Sequence, residues 1–387
     1  MAWPEKTTAA IRRLGTIKRE LADRYVDRDD AIDLLVLAAV CREHLLLIGP
    51  PGTAKTGLID QFCRSIGARQ FRYLLTRFTE PSELFGPLDI EEFQAGSYRI
   101  KTENMLPEAE IAFLDEVFHG SSAILNTLLT LLNERRFHNG SEVELTPLIS
   151  LFGATATPPE DPAILPFSDR FLLRLELTRV ADDRLADLLD TGWEQEREAL
   201  AGRAAAPVPP VNPAQLQELA AQLRHVELKP VMPVYQQLIR ELRAQGTTLS
   251  DRRVVRGLKI VAGACLLRES DIASAVDLWP LRHFWTDPSD AQLLDQAVMT
   301  RVADDPGAPR RPSRTAAEIL ADGRFEANQL ASSRFAVTEG VVTATLQVLG
   351  RLRRELYTDH PSATAELTEI DRLIDDVEAR YPGDGYV

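Results

Sequence analysis

The sequence predicts an α/β fold with a mainly parallel sheet, followed by helical regions. Three observations predict it. Short apolar runs at 45–48, 111–114, 148–154 and 172–177 have the composition of strands buried on both faces. Stretches with apolar residues three and four apart alternate with them, the rhythm of strands joined by helices on both sides of a sheet. Beyond residue 213 the strand signals stop and helical spacing takes over.

Residues 5–40 read as two helices. Ile11, Leu14, Ile17 and Leu21 share one face of the first, and Ile32, Leu35, Val36 and Ala39 one face of the second. Tyr25-Val26-Asp27-Arg28 forms the break between them. Leu45–Ile48 is then a strand, Gly49-Pro50-Pro51-Gly52 a sharp turn, and Thr53-Ala54-Lys55-Thr56 lead into a helix carrying Leu58, Ile59, Phe62 and Ile66. Strand, glycine turn and helix with Lys-Thr at the join make a phosphate-binding loop. Backbone N–H groups converge there, and the helix N-terminus adds partial positive charge. In that arrangement Lys55 reaches the β- and γ-phosphates of ATP, and the Thr56 hydroxyl holds Mg²⁺. The usual pattern has glycine before the lysine, where this chain has Ala54. Alanine fits if φ is negative and its methyl points away from the phosphates.

Gln70–Leu75 reads as a second strand, 76–90 as loop with short helical turns, and Gln94–Lys101 as a small hairpin. Ile111–Glu116 is an apolar strand ending in two acids. This places Asp115 and Glu116 at the carboxyl edge of a parallel sheet, where ligands of such folds bind. Asp115 then holds Mg²⁺ through water, and Glu116 orients and deprotonates the attacking water. The pair follows Lys55 by about sixty residues. Next come a helix at Ala123–Leu132, a hairpin turn at Asn139-Gly140, and a strand at Leu148–Ala154. An irregular loop through Pro158-Pro159 and Asp161-Pro162 leads to Ser168-Asp169-Arg170-Phe171 and a last strand, Leu172–Leu177.

Ala204–Pro213 is a proline-rich connector. Residues 214–300 read as helical throughout, with Ser250-Asp251 as N-cap of a helix from Arg252 to Leu267. Asp304–Ser313 is a second linker. The predicted division is therefore 1–205, an α/β nucleotide-binding domain; 206–303, a helical domain; 304–313, a linker; and 314–387, a helical extension. In the last, Leu367, Ile370, Ile374, Val377 and Tyr381 form a seam facing Leu346, Leu349, Leu352 and Leu356 across an Asp359–Ser362 turn. It suits an intramolecular helical hairpin, with a docking helix for another protein as the other reading.

Composition excludes several classes. The net charge of −14 argues against broad nucleic-acid binding. Cys41, Cys63 and Cys265 have no metal-ligand spacing and read as buried thiols of a reducing compartment. His44, His119 and His138 are isolated and read as core or surface residues. The amino-terminal segment lacks the apolar core of a signal peptide, and the longest apolar stretch, Leu34–Cys41, is too short to cross a bilayer. The expectation is a cytoplasmic protein without a transmembrane segment.

The phosphate loop, the proline-rich hinge and a helical region with arginines at a helix start resemble AAA+ ATPases. YLLTRFTEPSELFGPLDI, LPEAEIAFLDEVF, AILNTLLTLLNERRFHNG and LSDRR resemble the MoxR family, specifically its RavA-like branch, over roughly residues 8–270. That branch also carries alanine before the lysine. The resemblance implies a P-loop AAA+ domain with a helical lid, working as a homo-oligomeric ring, a hexamer, that hydrolyses ATP with Mg²⁺ between subunits. It makes Gly49, Pro50, Pro51, Gly52, Thr53, Ala54, Lys55 and Thr56 the phosphate site, and Tyr25 and Val26 an adenine contact; a plain connector is the other reading of that break. Thr157 takes the polar sensor place, usually Asn, and its shorter hydroxyl implies slow hydrolysis. Arg170 matches the arginine finger given to the neighbouring subunit, against a surface arginine paired with Asp169. Arg252 matches the lid's sensor arginine, with Arg253 as its rival, at a helix start facing the nucleotide. The hairpins near 94–101 and 137–146 resemble inserts that face a central pore. The implied partner is a protein bearing a von Willebrand factor A domain, for which the chain acts as a remodelling chaperone. An ATP-binding switch with little turnover and a DNA-translocating motor are the alternatives, the second opposed by the charge.

Overall fold

The computed structural model describes residues 3–159, 161, 164–201, 211–305, 316–331, 342, 345–346, 348–350, 352–353, 356 and 363–381. Most of the proline-rich connector (204–210), Pro162, most of the second linker (306–313) and the 359–362 turn lie outside them. The chain divides into two compact units, residues 1–308 and 309–387.

The first unit is built on seven strands, β1 (His44–Ile48), β2 (Gln70–Leu74), β3 (Ile111–Asp115), β4 (Arg136–Asn139), β5 (Glu142–Leu145), β6 (Ser150–Thr155) and β7 (Phe171–Glu176). Five of them form one sheet in the order β2-β3-β6-β1-β7, and all its pairings are parallel. The central strands β1 and β6 are buried at every residue, as their uninterrupted apolar runs require. The edge strand β2 alternates, with Phe71 buried and Arg72 exposed. Strands β4 and β5 make a separate antiparallel hairpin. Asn139 pairs with Glu142, so the two turn residues are Gly140 and Ser141, and Gly140 takes φ 63.

Helices α1 (Glu5–Arg24), α2 (Asp29–Cys41), α3 (Lys55–Ser65), α4 (Pro81–Phe85), α5 (Ile90–Gln94), α6 (Ser122–Glu134), α7 (Leu165–Ser168) and α8 (Leu185–Leu200) accompany the sheet. The predicted face of α1 is the buried one. Helix α2 is buried on more than its predicted face: Leu34, Leu37 and Val40 are as enclosed as Leu35 and Val36. An apolar helix covered all round is a core helix, and α1 and the later helix Asp251–Leu267 both pack on it. The hairpin expected at Gln94–Lys101 is absent. Helix α5, capped by Asp89, which accepts from Glu91 N and Glu92 N, runs up to Gln94, the first residue of that segment. Only an isolated bridge joins Leu88 to Ile100.

Helices α9 (Pro213–Gln222), α10 (Met232–Ala244), α11 (Asp251–Leu267) and α12 (Ala291–Ala303) follow. Ser250 caps α11 by accepting from Arg253 N. The region is not helical throughout in the α sense: Ala275–His283 is a 3₁₀ helix carrying Pro280, and Glu227 bridges to Ile272. Among the described residues, no helix is long and apolar enough to cross a membrane. Cys41, Cys63 and Cys265 are buried free thiols.

The second unit contains helices Ala316–Ala331 and Thr364–Arg380 and further helical residues between 342 and 356. The seam residues pack inward. Ile370 clusters with Ile319, Leu320, Leu352 and Leu356, and Val377 with Leu330, Val342 and Leu349. The intramolecular reading of the seam is the one the structure supports, with a third helix added to the predicted pair.

Candidate functional site

Strand β1 ends at Ile48, and the chain turns at once. Gly49 has φ 150, and its N–H donates to Thr155 O at 3.0 Å. A Cβ at Gly49 would lie 2.2 Å from Leu177 O, so no other residue fits between β1 and the end of β7. Ala54, immediately before α3, has φ 64. That overturns the expectation of a negative φ: the alanine sits in the left-handed region glycine usually fills, at a cost of about 1–2 kcal/mol. Lys55 Nζ donates to Gly49 O at 2.7 Å, Pro50 O at 3.0 Å and Thr53 Oγ1 at 3.3 Å, which holds the ammonium against the loop. Burial lowers the Lys55 pKa; Asp115 and Glu116 oppose that shift and Arg28 adds to it. Gly49, residues 51–57, Asp115 and Glu116 together enclose a cavity of ≈300 Å³.

The acids arrive from β3, two strands away from β1 in the sheet. Asp115 ends the strand, and its Oδ1 accepts from Glu116 N at 3.0 Å. Glu116 has φ 48, so the chain reverses there, and Val117 N then donates to Ala154 O at 3.0 Å. A left-handed backbone in a non-glycine residue stores strain that the packing of Val117 holds in place. His119 Nδ1 lies 3.6 Å from Glu116 Oε2, so this histidine is not isolated from the site. Thr157 follows β6 on the same edge of the sheet. It is exposed and does not line the cavity; its carbonyl accepts from Thr155 Oγ1 at 2.9 Å.

Arg28 is the residue the sequence did not single out from its break. It is only 5% exposed, and it donates to Thr53 O at 3.1 Å and Thr178 O at 2.8 Å. It thus ties the phosphate loop to the segment leaving β7. The sequence carries no signal for it, because its partners are main-chain carbonyls. Tyr25 and Val26 do not line the cavity. Val26 is buried, and Tyr25 Oη lies 3.3 Å from the Cβ position of Gly57, beside the first turn of α3.

The remaining predicted residues gather on the opposite edge of the sheet. Arg170 immediately precedes β7, at the end where His44 pairs with Phe171, whereas the loop lies beyond Ile48, which pairs with Glu176. Its Nε is buried and has no hydrogen-bond partner among the described residues, and burial lowers its pKa. Arg252 and Arg253 do not face the cavity of their own chain, contrary to expectation. Arg252 donates to Asn133 Oδ1 at 2.6 Å, at the far end of α6. Arg253 donates to Phe171 O at 3.1 Å and Leu172 O at 2.7 Å. The cause lies in α11, which packs beneath the amino-terminal edge. There Arg256 and Lys259 pair with the buried Glu43, just before β1, at 2.9 and 2.7 Å.

The donor set fits a nucleotide with a hard cation. Thr56 and Asp115 put a hydroxyl and a carboxylate in one cavity beside a lysine. No group of three His, Cys, Asp or Glu side chains among the described residues can hold a metal alone. A cation held there would need the rest of its shell from a bound ligand and water, which is how Mg²⁺ is commonly held.

Residues 12–221 match a family model described as the MoxR domain in the MoxR-vWA-beta-propeller ternary systems. An uncharacterized protein of Methanocaldococcus jannaschii is 35% identical over 96% of this chain and 97% of its own length. The protein MoxR of Methylorubrum extorquens is 25% identical, over 78% of this chain and 91% of its own. The chaperone MoxR1 of Mycobacterium tuberculosis is 26% identical over 45% of this chain and 46% of its own. The crystal structure of a proposed ATPase from Cytophaga hutchinsonii superposes with a TM-score of 0.60 at 16% identity, over 78% of this chain and 96% of the other. That likeness is one of fold.

Proposed function

The chain belongs to the MoxR family of AAA+ ATPases, and from that premise we propose that it is a Mg²⁺-ATP-driven remodelling chaperone of the RavA-like type. The observation that carries the reading is the shared cavity, where the loop from Gly49 to Gly57 meets Asp115 and Glu116. Lys55 and the loop amides bind the β- and γ-phosphates. Thr56 and Asp115 hold Mg²⁺, which when bound neutralises charge on the phosphate oxygens. Glu116 orients a water and takes its proton. Thr157, on the same edge but outside the cavity lining, would meet a γ-phosphate only where the nucleotide extends past that lining, and Tyr25, beside the first turn of α3, and Val26 would flank the base.

Arg170 acts on a neighbour. Strand β1 has five residues, on the order of 16 Å, so an arginine at the other edge of the sheet cannot reach its own γ-phosphate. It serves the next subunit of a ring, a hexamer, and Arg252, on the same edge, faces that neighbour too. Hydrolysis is thereby coupled to assembly. The domains are 1–205 for the ATPase, 206–303 for the lid, 304–313 for the linker and 314–387 for the extension. The partner is a protein with a von Willebrand factor A domain, as the ternary systems of the matching family suggest.

The test is ATP turnover and nucleotide affinity of Lys55→Ala and Glu116→Gln. Lys55→Ala is expected to lose affinity. Glu116→Gln is expected to bind ATP as the parent does while turnover falls by roughly 10²–10⁴-fold. Unchanged turnover in Glu116→Gln sinks the assignment. No turnover in either the wild type or Glu116→Gln, with binding intact, favours the second reading, a nucleotide switch, to which the short Thr157 side chain lends support.

A further inference from the structure

Arg170 stands between α7 and β7, and the residues on both sides of it are pinned by two buried arginines. Arg253 is 1% exposed. It donates to Phe171 O at 3.1 Å, Leu172 O at 2.7 Å and Phe284 O at 2.8 Å, and its Nη1 lies 3.6 Å from Asp169 Oδ1. Arg174, equally buried, donates to Ser168 O at 2.9 Å, Ser168 Oγ at 3.0 Å and Thr286 O at 2.6 Å. The two guanidinium groups lie over Phe284 and Trp285, at 5.7 and 6.0 Å from the ring centroids. Residues 168, 169, 171 and 172 are therefore held to the start of α11 and to the 284–286 segment.

We propose that Arg253 and Asp169 are positioning residues: they fix the backbone that presents Arg170, so the helical region sets where that arginine stands for the neighbouring subunit. The inference rests on reading Arg170 as the arginine given in trans. Its physical basis is the cost and the geometry of the contacts. Two arginines are desolvated around one partly exposed carboxylate, an arrangement that apolar residues could replace with less penalty if adhesion were its purpose. What a guanidinium adds is direction. Its planar fork reads several carbonyls at once, which an aliphatic contact or an ammonium cannot do. Of the three carbonyls that Arg253 reads, two belong to the residues directly after Arg170 and the third to Phe284, and the carboxylate it pairs with is the one directly before Arg170.

The experiment is a double-mutant cycle on the full chain, with kcat for ATP, the affinity for a fluorescent ATP analogue and Tm as readouts. Arg170→Ala is expected to lower kcat by roughly 10³–10⁵-fold with affinity unchanged. Asp169→Asn and Arg253→Lys are expected to lower kcat by roughly 10–100-fold, also with affinity unchanged. Combined with Arg170→Ala, neither should lower kcat further. Wild-type kcat in Asp169→Asn, or losses that multiply on the Arg170→Ala background, overturns the inference while leaving the trans arginine in place. Wild-type kcat in Arg170→Ala overturns the trans reading itself. Asp169→Asn changes a single, partly exposed atom, so it decides the matter even if Arg253→Lys does not fold.

Discussion

Ala54 shows how one residue can fit a motif chemically and strain it conformationally. At φ 64 its Cβ crowds the backbone, which glycine avoids. Ala54→Gly should relieve that strain, partly offset by the added freedom of glycine in the unfolded chain. The expected result is a gain of about 0.5–1 kcal/mol, read as a higher urea midpoint at constant slope, with nucleotide binding retained. A lower midpoint would show that the methyl is used in packing. Lys55, Thr56, Asp115 and Glu116 were legible because short spacings and strand ends mark them. The φ of Ala54 was not, since the dihedral follows from how β1 and α3 are held apart. His119 reads as an isolated histidine in the sequence, and its place beside Glu116 follows from the left-handed turn at that residue.

The sequence reads as two separate hairpins, near 94–101 and 137–146, whereas in the structure the β4–β5 hairpin and the segment around Ile100 act as one element. Buried Asn139 accepts from Ile100 N at 2.7 Å through Oδ1 and donates to Ile100 O at 3.1 Å through Nδ2. Arg99 reaches Glu142 and Glu144 across the same junction. The side-chain amide thus does for Ile100 what a neighbouring strand would do. Asn139→Ala leaves both main-chain groups of Ile100 unpaired, a local loss of about 1–3 kcal/mol. Hydrogen exchange should accelerate at the Ile100 amide and stay unchanged in β1. Equal protection in parent and variant at Ile100 would mean that the clip is not what orders this segment. Sequence identified the hairpin through its glycine turn; nothing in a pattern of apolar residues tells that its asparagine pairs with a backbone thirty-nine positions away.

At the scale of the molecule, buried histidines are expected to make the first unit acid-sensitive. Burial lowers the His283 pKa to about 3, and its Nε2 accepts from Arg282 Nε at 2.9 Å; burial also holds His44 well below the ordinary value. Between pH 6.5 and 3 the unfolded chain binds a proton at position 283 that the folded chain refuses, so stability is lost as pH falls through that window. At pH 5 the loss from His283 amounts to about 2 kcal/mol relative to pH 8. Urea denaturation at the two pH values, in the parent and in His283→Gln, should show a smaller pH effect in the variant; an identical one removes His283 as its source. The sequence by itself determined the alternation of strands and helices, the phosphate loop and the paired acids, because these depend on local periodicity and residue type. Tertiary structure alone decided that α11 lies under the amino-terminal edge, that Arg252 and Arg253 face away from their own cavity, and that Arg28 anchors the loop. Arg28 and Arg253 donate to main-chain carbonyls, which every residue carries alike, so only the folded chain says which carbonyls come within reach.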